Sequence, residues 1–174
     1  MPLAEPAGAS GSVAFSPDYS DAIDTITFGS CARETDPQPI WWSILDADPD
    51  VFLFTGDNIY GDTDDMQVMR NKYDSLGAKP GYDALRRTIP VMATWDDHDY
   101  GRNDAGSEYE YRQQSQEEFL RFFEVPRSSP RWSREGVYSA KTFGPVGRRT
   151  QIIMLDTRYF RSGLERWPKG QRQY

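Results

Sequence analysis

The sequence predicts an α/β fold. Two apolar runs, Val51–Thr55 and Val91–Trp95, have the make-up of strands buried on both faces, and segments with helical spacing separate them. Each run stops at a polar cluster, Gly56-Asp57-Asn58-Ile59-Tyr60-Gly61 and Asp96-Asp97-His98-Asp99-Tyr100-Gly101. In open α/β sheets ligands sit beyond the carboxyl ends of the strands, so these clusters mark the expected site.

Residues 1–20 are small and polar and contain proline, which reads as a flexible leader; residues 21–174 read as one domain. The leader lacks a basic region followed by an apolar stretch and is not an intact secretory signal. Ile23–Phe28 alternates and is β-branched, a first strand that ends at Gly29-Ser30-Cys31. After Pro37 and Pro39, residues Ile40, Trp41, Ile44 and Leu45 share one face of a short helix, which Asp48-Pro49-Asp50 ends. The Val51–Thr55 strand follows, then a helix with Met66, Met69, Tyr73 and Leu76 at core-facing spacing. Gly77–Gly81 reads as a turn, and a second short helix through Leu85 leads to Pro90 and the Val91–Trp95 strand. Gly106-Ser107 introduces a longer helix, with Tyr111, Ser115, Phe119 and Phe122 on one face, that ends before Pro126. Val137–Phe143 and Arg149–Leu155 flank Gly144-Pro145-Val146-Gly147 as an antiparallel hairpin and run into Asp156-Thr157-Arg158.

The net charge of −7 argues against a nucleic-acid or anionic-membrane surface, which needs clustered Lys and Arg. The single cysteine excludes an internal disulfide framework. No apolar run reaches the roughly 18 residues of a membrane span.

Four expected strands end, in turn, in Cys31, Asp57, Asp96–Asp99 and Asp156. As parallel neighbours they would bring these groups to one edge. Aspartate is common in turns, and one such residue means little. Four in register, with the only cysteine and the only histidine among them, make a site. Packed carboxylates repel one another, so their pKa values rise or a cation compensates. Oxygen ligands suit calcium, magnesium or manganese, whereas thiolate suits iron or zinc, and a phenol binds a strongly polarising ion such as ferric iron. The run Asp62–Asp65 reads as a solvated acidic face.

Gly56-Asp57-Asn58-Ile59-Tyr60 resembles the second motif of the calcineurin-like metallophosphoesterases, in its tyrosine-bearing form. Trp95-Asp96-Asp97-His98-Asp99 resembles that superfamily's Gly-Asn-His-Asp/Glu motif as modified in the PhoD-like alkaline phosphatases and phosphodiesterases. Phe28-Gly29-Ser30-Cys31 and Leu155-Asp156-Thr157-Arg158-Tyr159-Phe160-Arg161 are similar to that family too. The resemblance implies a four-layer β-sandwich flanked by helices, an exported protein, and hydrolysis of small phosphate esters by a metal-bound hydroxide at a dinuclear site. It assigns ferric iron to Cys31, Asp57 and Tyr60. Asp57 would bridge to a second metal, calcium, held by Asp97 (with Asp96 as a substitute) and by Asn103. His98 would protonate the leaving oxygen or stabilise the phosphoryl group, with Asp99 orienting it and Arg158 binding substrate; Arg33 and Arg161 are further candidate clamps. The family's closing histidine motifs lie further downstream, while His98 is the sole histidine here. The chain is therefore expected to supply the first half of the domain, with weak or no phosphatase activity and bare strand faces. Two other readings stay open: an aspartyl-phosphate-type α/β phosphatase, and a non-catalytic binding protein.

Overall fold

The computed structural model describes residues 19–164. Its centre is β2 (Val51–Thr55), where Val51, Phe52 and Phe54 are buried. β1 (Ile26–Gly29) and β3 (Val91–Thr94) flank it in parallel, in the order β1-β2-β3. The register pairs Phe28 with Leu53 and Leu53 with Met92, so the carboxyl ends of the three strands lie level. Parallel strands need crossovers, and helices supply them. α1 (Ile40–Asp46) joins β1 to β2, while α2 (Met66–Gly77) and α3 (Pro80–Arg86) join β2 to β3.

The two sheet faces feed separate cores. Phe52, Phe54 and Ala93 pack with Trp41 of α1, Tyr73 of α2, Tyr82 of α3 and Phe119 of α5 (Arg112–Phe122). Aromatic edges set this packing: the Trp41 ring lies 5.4 Å from Phe52 and 5.5 Å from Phe54, both near-perpendicular. On the other face Val51 and Met92 meet Phe143 of β4 (Ser139–Phe143) and Ile152 and Met154 of β5 (Thr150–Met154).

β4 and β5 form their own antiparallel two-stranded sheet, so the fourth strand is not a parallel neighbour of the first three. It still touches β3, through a 2.6 Å hydrogen bond from Thr94 Oγ1 to the Leu155 carbonyl. Other differences from the sequence expectation have local causes. The first strand starts at Ile26 because the Asp50 carboxylate takes the N–H groups of Asp24 and Thr25, at 2.7 and 2.8 Å. β4 begins after Val137, whose N–H goes to Asp156 Oδ2 at 2.8 Å. The expected Gly77–Gly81 turn shrinks to Ala78 and Lys79, since Pro80 opens α3, where its missing N–H costs nothing. The helix introduced at Gly106 starts only at Arg112, and Ser107 N–H instead donates to the Arg161 carbonyl at 2.7 Å. A 3-10 turn at Pro130–Trp132 and the one-turn helix α4 (Asp97–Tyr100) have no sequence counterpart above. The leader lies outside the described residues except for Tyr19 and Ser20. No helix among the described residues is long and apolar enough to cross a membrane.

Candidate metal centre

Level strand ends bring three loops together. Gly56 has φ +115°, and a Cβ there would sit 2.6 Å from Asp96 Cβ, so only glycine lets the β2 and β3 loops approach this closely. Cys31, Asp57 and Asp62 adopt positive φ values of 57°, 51° and 45°. Such left-handed backbone outliers in non-glycine residues gather at functional sites.

Asp99 ties the loops together from below. Its carboxylate is fully buried and accepts from Asp57 N–H and Asn58 N–H at 3.2 Å, from Asn58 Nδ2 at 2.5 Å, and from Asp96 N–H at 2.8 Å. Asp96 and Asp99 also form a reciprocal capping box around α4. Burial pushes the Asp99 carboxyl well above its ordinary pKa, against the N–H groups that favour the charged form. Asp99 is thus a strut between the two loops, while the carboxylate on the His98 ring is that of Asp62.

Above the strut, Asp57, Asp97 and His98 bring a carboxylate oxygen each and a ring nitrogen within 4.8 Å of one another. Burial raises the Asp57 pKa; the nearby Asp97 and Asp96 charges add to this, and His98 opposes it. Burial also pushes up Asp97, but the Asp104 N–H at 2.9 Å and Arg158 outweigh it and hold that carboxyl below its usual value. Asp57 Oδ2 also lies 3.7 Å from Cys31 Sγ. The Tyr60 phenol has its pKa raised by burial and by the neighbouring Cys31 thiol. Asp57 is therefore common to two donor groups, a carboxylate–imidazole set and a thiol–phenol set. The Asp57–Asp97–His98 group could hold a metal ion.

His98 Nδ1 lies 2.7 and 2.9 Å from the two oxygens of Asp62. Burial alone would lower the His98 pKa, but Asp62, with Asp57 and Asp97, raises it. The β2 loop folds around this residue, with Gly61 and Asp62 N–H groups both donating to the His98 carbonyl, at 2.9 and 3.2 Å. The Tyr60 ring lies 4.2 Å from the imidazole, and Arg33 stands over the Tyr60 ring at 4.4 Å. Asp62 escaped the sequence reading because it opens an acidic run that looks solvated.

Arg158 is ion-paired at the edge of this cluster. Its Nε and Nη2 both lie 2.5 Å from Asp96 Oδ1, and Nη2 is 3.4 Å from Asp97. Asp96 is thus spent on Arg158, which separates it from Asp97 in role. Arg161 Nη2 donates to the carbonyls of Asp104 and Ala105. Asn103 is exposed in the turn after α4. Asp156 sits near the edge but works as a turn brace: its Oδ1 accepts from Trp95 Nε1 and from the N–H groups of Arg158 and Tyr159, each at 2.9 Å.

A parallel α/β sheet with an acidic, thiol- and phenol-bearing cluster at its carboxyl edge is the class that fold and site define together. Among solved structures, one described as "Structure of PhoD" matches with a TM-score of 0.66 at 20% identity over 85% of this chain. The chain spans 34% of that structure's chain. The fold is therefore similar to that of PhoD. No protein-family model matches the sequence, and no curated protein matches it.

Proposed function

We propose that this chain carries the carboxylate-centred part of a dinuclear site that hydrolyses small phosphate esters, of the PhoD-like alkaline phosphatase and phosphodiesterase type, on the first half of a four-layer sandwich. The observation that carries the reading is Asp57, whose carboxylate groups with Asp97 and His98 and lies 3.7 Å from Cys31 Sγ. A shared carboxylate is one way to hold two adjacent cations together. The PhoD-like fold adds to this reading.

In this reading Cys31, Tyr60 and Asp57 hold ferric iron, whose polarising charge suits thiolate and phenolate. Asp57 and Asp97 hold calcium, with Asn103 within reach as a further oxygen donor. Bound there, the ions would supply positive charge to the phosphoryl oxygens and lower the pKa of a water.

The chain's own groups divide the remaining work. His98 is held by Asp62 at Nδ1, a carboxylate contact that fixes the orientation of the ring. Its other nitrogen, Nε2, is the proton donor to the leaving oxygen. Arg158 holds Asp97 in place by charge, and exposed Arg33 beside Tyr60 is the cation that meets phosphate oxygens.

Asp57→Asn tests the reading. It keeps the backbone N–H that Asp99 accepts from, while removing the charge and turning one acceptor oxygen into an NH2 donor. The expected outcome is a folded protein with at least about tenfold less retained metal, in line with the loss of a central ligand. Equal iron and calcium content by elemental analysis in wild type and Asp57→Asn would reject the proposal.

A further inference from the structure

Glu34 is a charged residue placed deep in the protein, 4% exposed, with no role in the site as described so far. It lies three residues beyond Cys31, where the chain leaves the β1 loop. Its Oε2 accepts the N–H of Tyr60 at 2.9 Å, and its Oε1 lies 3.4 Å from Lys72 Nζ. Lys72, on α2, in turn donates to the carbonyl of Tyr60. The Tyr60 residue is therefore gripped at both backbone polar groups by one ion pair, and the pair closes a ring on itself. A buried carboxylate costs free energy unless paired and hydrogen-bonded, so its retention here asks for a reason.

We propose that the Glu34–Lys72 pair is a positioning device for Tyr60, setting the phenol between Cys31 and His98. The argument is geometric. Tyr60 lies in the middle of the irregular loop between β2 and α2, flanked by Asp57 and Asp62, both with positive φ. Its ring has to satisfy three neighbours: Cys31, Arg33 above it at 4.4 Å, and the His98 imidazole at 4.2 Å. The loop bonds around it, from Gly61 and Asp62 to the His98 carbonyl, fix the chain after Tyr60. The Glu34–Lys72 pair fixes Tyr60 itself. Because Glu34 follows Cys31 in the chain, the same pair couples the thiol-bearing loop to the phenol-bearing loop. The inference rests on Tyr60 being a site residue, but its test needs no metal.

His98 is the only histidine in the chain, so the metal-free protein gives a single pair of imidazole carbon–proton signals. The Tyr60 ring above it imposes a ring-current shift on them. Tyr60→Leu defines the signal without that ring, compared at both limits of the His98 titration so that protonation does not enter. Glu34→Ala and Lys72→Met are expected to move the signals from the wild-type position at least roughly half-way toward the Tyr60→Leu position. Glu34→Gln keeps an acceptor for the Tyr60 N–H and is expected to fall between. Lys72 is about one-third exposed, so Lys72→Met decides the matter if Glu34→Ala fails to fold. Folded Lys72→Met protein with wild-type His98 signals would overturn the inference, as would Tyr60→Leu with wild-type signals. Loss of metal retention by the wild type would count against the proposed function and leave this result standing.

Discussion

At the scale of single residues, Asp62 and His98 carry the sharpest chemistry. The His98 pKa is raised above its free value of 6.5, with burial opposing and Asp62 prevailing. The folded protein therefore holds this proton more tightly than the unfolded chain. The resulting stability is fully present below about pH 6.5 and disappears as pH rises through the folded value. Removing the Asp62 charge leaves only Asp57 and Asp97 to oppose burial, so Asp62→Asn is expected to drop the His98 pKa below that of wild type. Titration of the lone imidazole signal measures this, and an unmoved pKa would remove Asp62 from the site. Asp57 behaves in the opposite sense to an ordinary paired carboxylate. Its raised pKa means that the metal-free fold loses stability as pH climbs through the carboxylate range, and a bound cation would restore it. Cys31, Asp57 and Asp97 are readable from the sequence because each sits where an apolar strand stops. Asp62 and Glu34 are not, because their partners His98, Lys72 and Tyr60 meet them only through the fold.

At the scale of elements, loop chemistry rather than periodicity decides the boundaries. The strands β2 and β3 and the helix carrying Met69, Tyr73 and Leu76 follow from apolar spacing, since a buried face must recur at the period of its element. Single side chains that capture backbone N–H groups, such as Asp50 beside β1 and Asp156 beside β4, leave no periodic trace and shift the ends by several residues. Asp65, read from the sequence as part of a solvated acidic face, is another such capture. It caps α2 by accepting the Gln67 and Val68 N–H groups, at 2.8 and 3.4 Å. Asp65→Ala is expected to cost roughly 1 kcal/mol of unfolding free energy. Because α2 also carries Lys72, a denaturation midpoint equal to wild type would show that α2 is held by its core face alone. The late hairpin is legible as a hairpin, but its separation from the parallel sheet is not. β-strand patterns report which face is buried and not which neighbour is paired.

At the scale of the whole molecule, a helical layer, a parallel sheet and a hairpin hold a rim of polar loops. Large apolar groups also stand open around that rim, with Phe28 72% and Leu155 66% exposed, and β1 is an edge strand. The two cores thus support a site whose backbone is held out of its preferred conformation. Left-handed φ costs an ordinary residue about 1–2 kcal/mol, while glycine there gives back only about 0.5–1 kcal/mol through chain entropy. Cys31→Gly is therefore expected to match or exceed the wild-type melting temperature while stripping the thiol from Asp57 and Tyr60. A clear fall in melting temperature would mean that Cys31 is a structural contact after all. Selection for thermal tolerance alone, run without any demand on metal retention, would then drift toward glycine at Cys31. It would erase the centre while improving the scaffold around it.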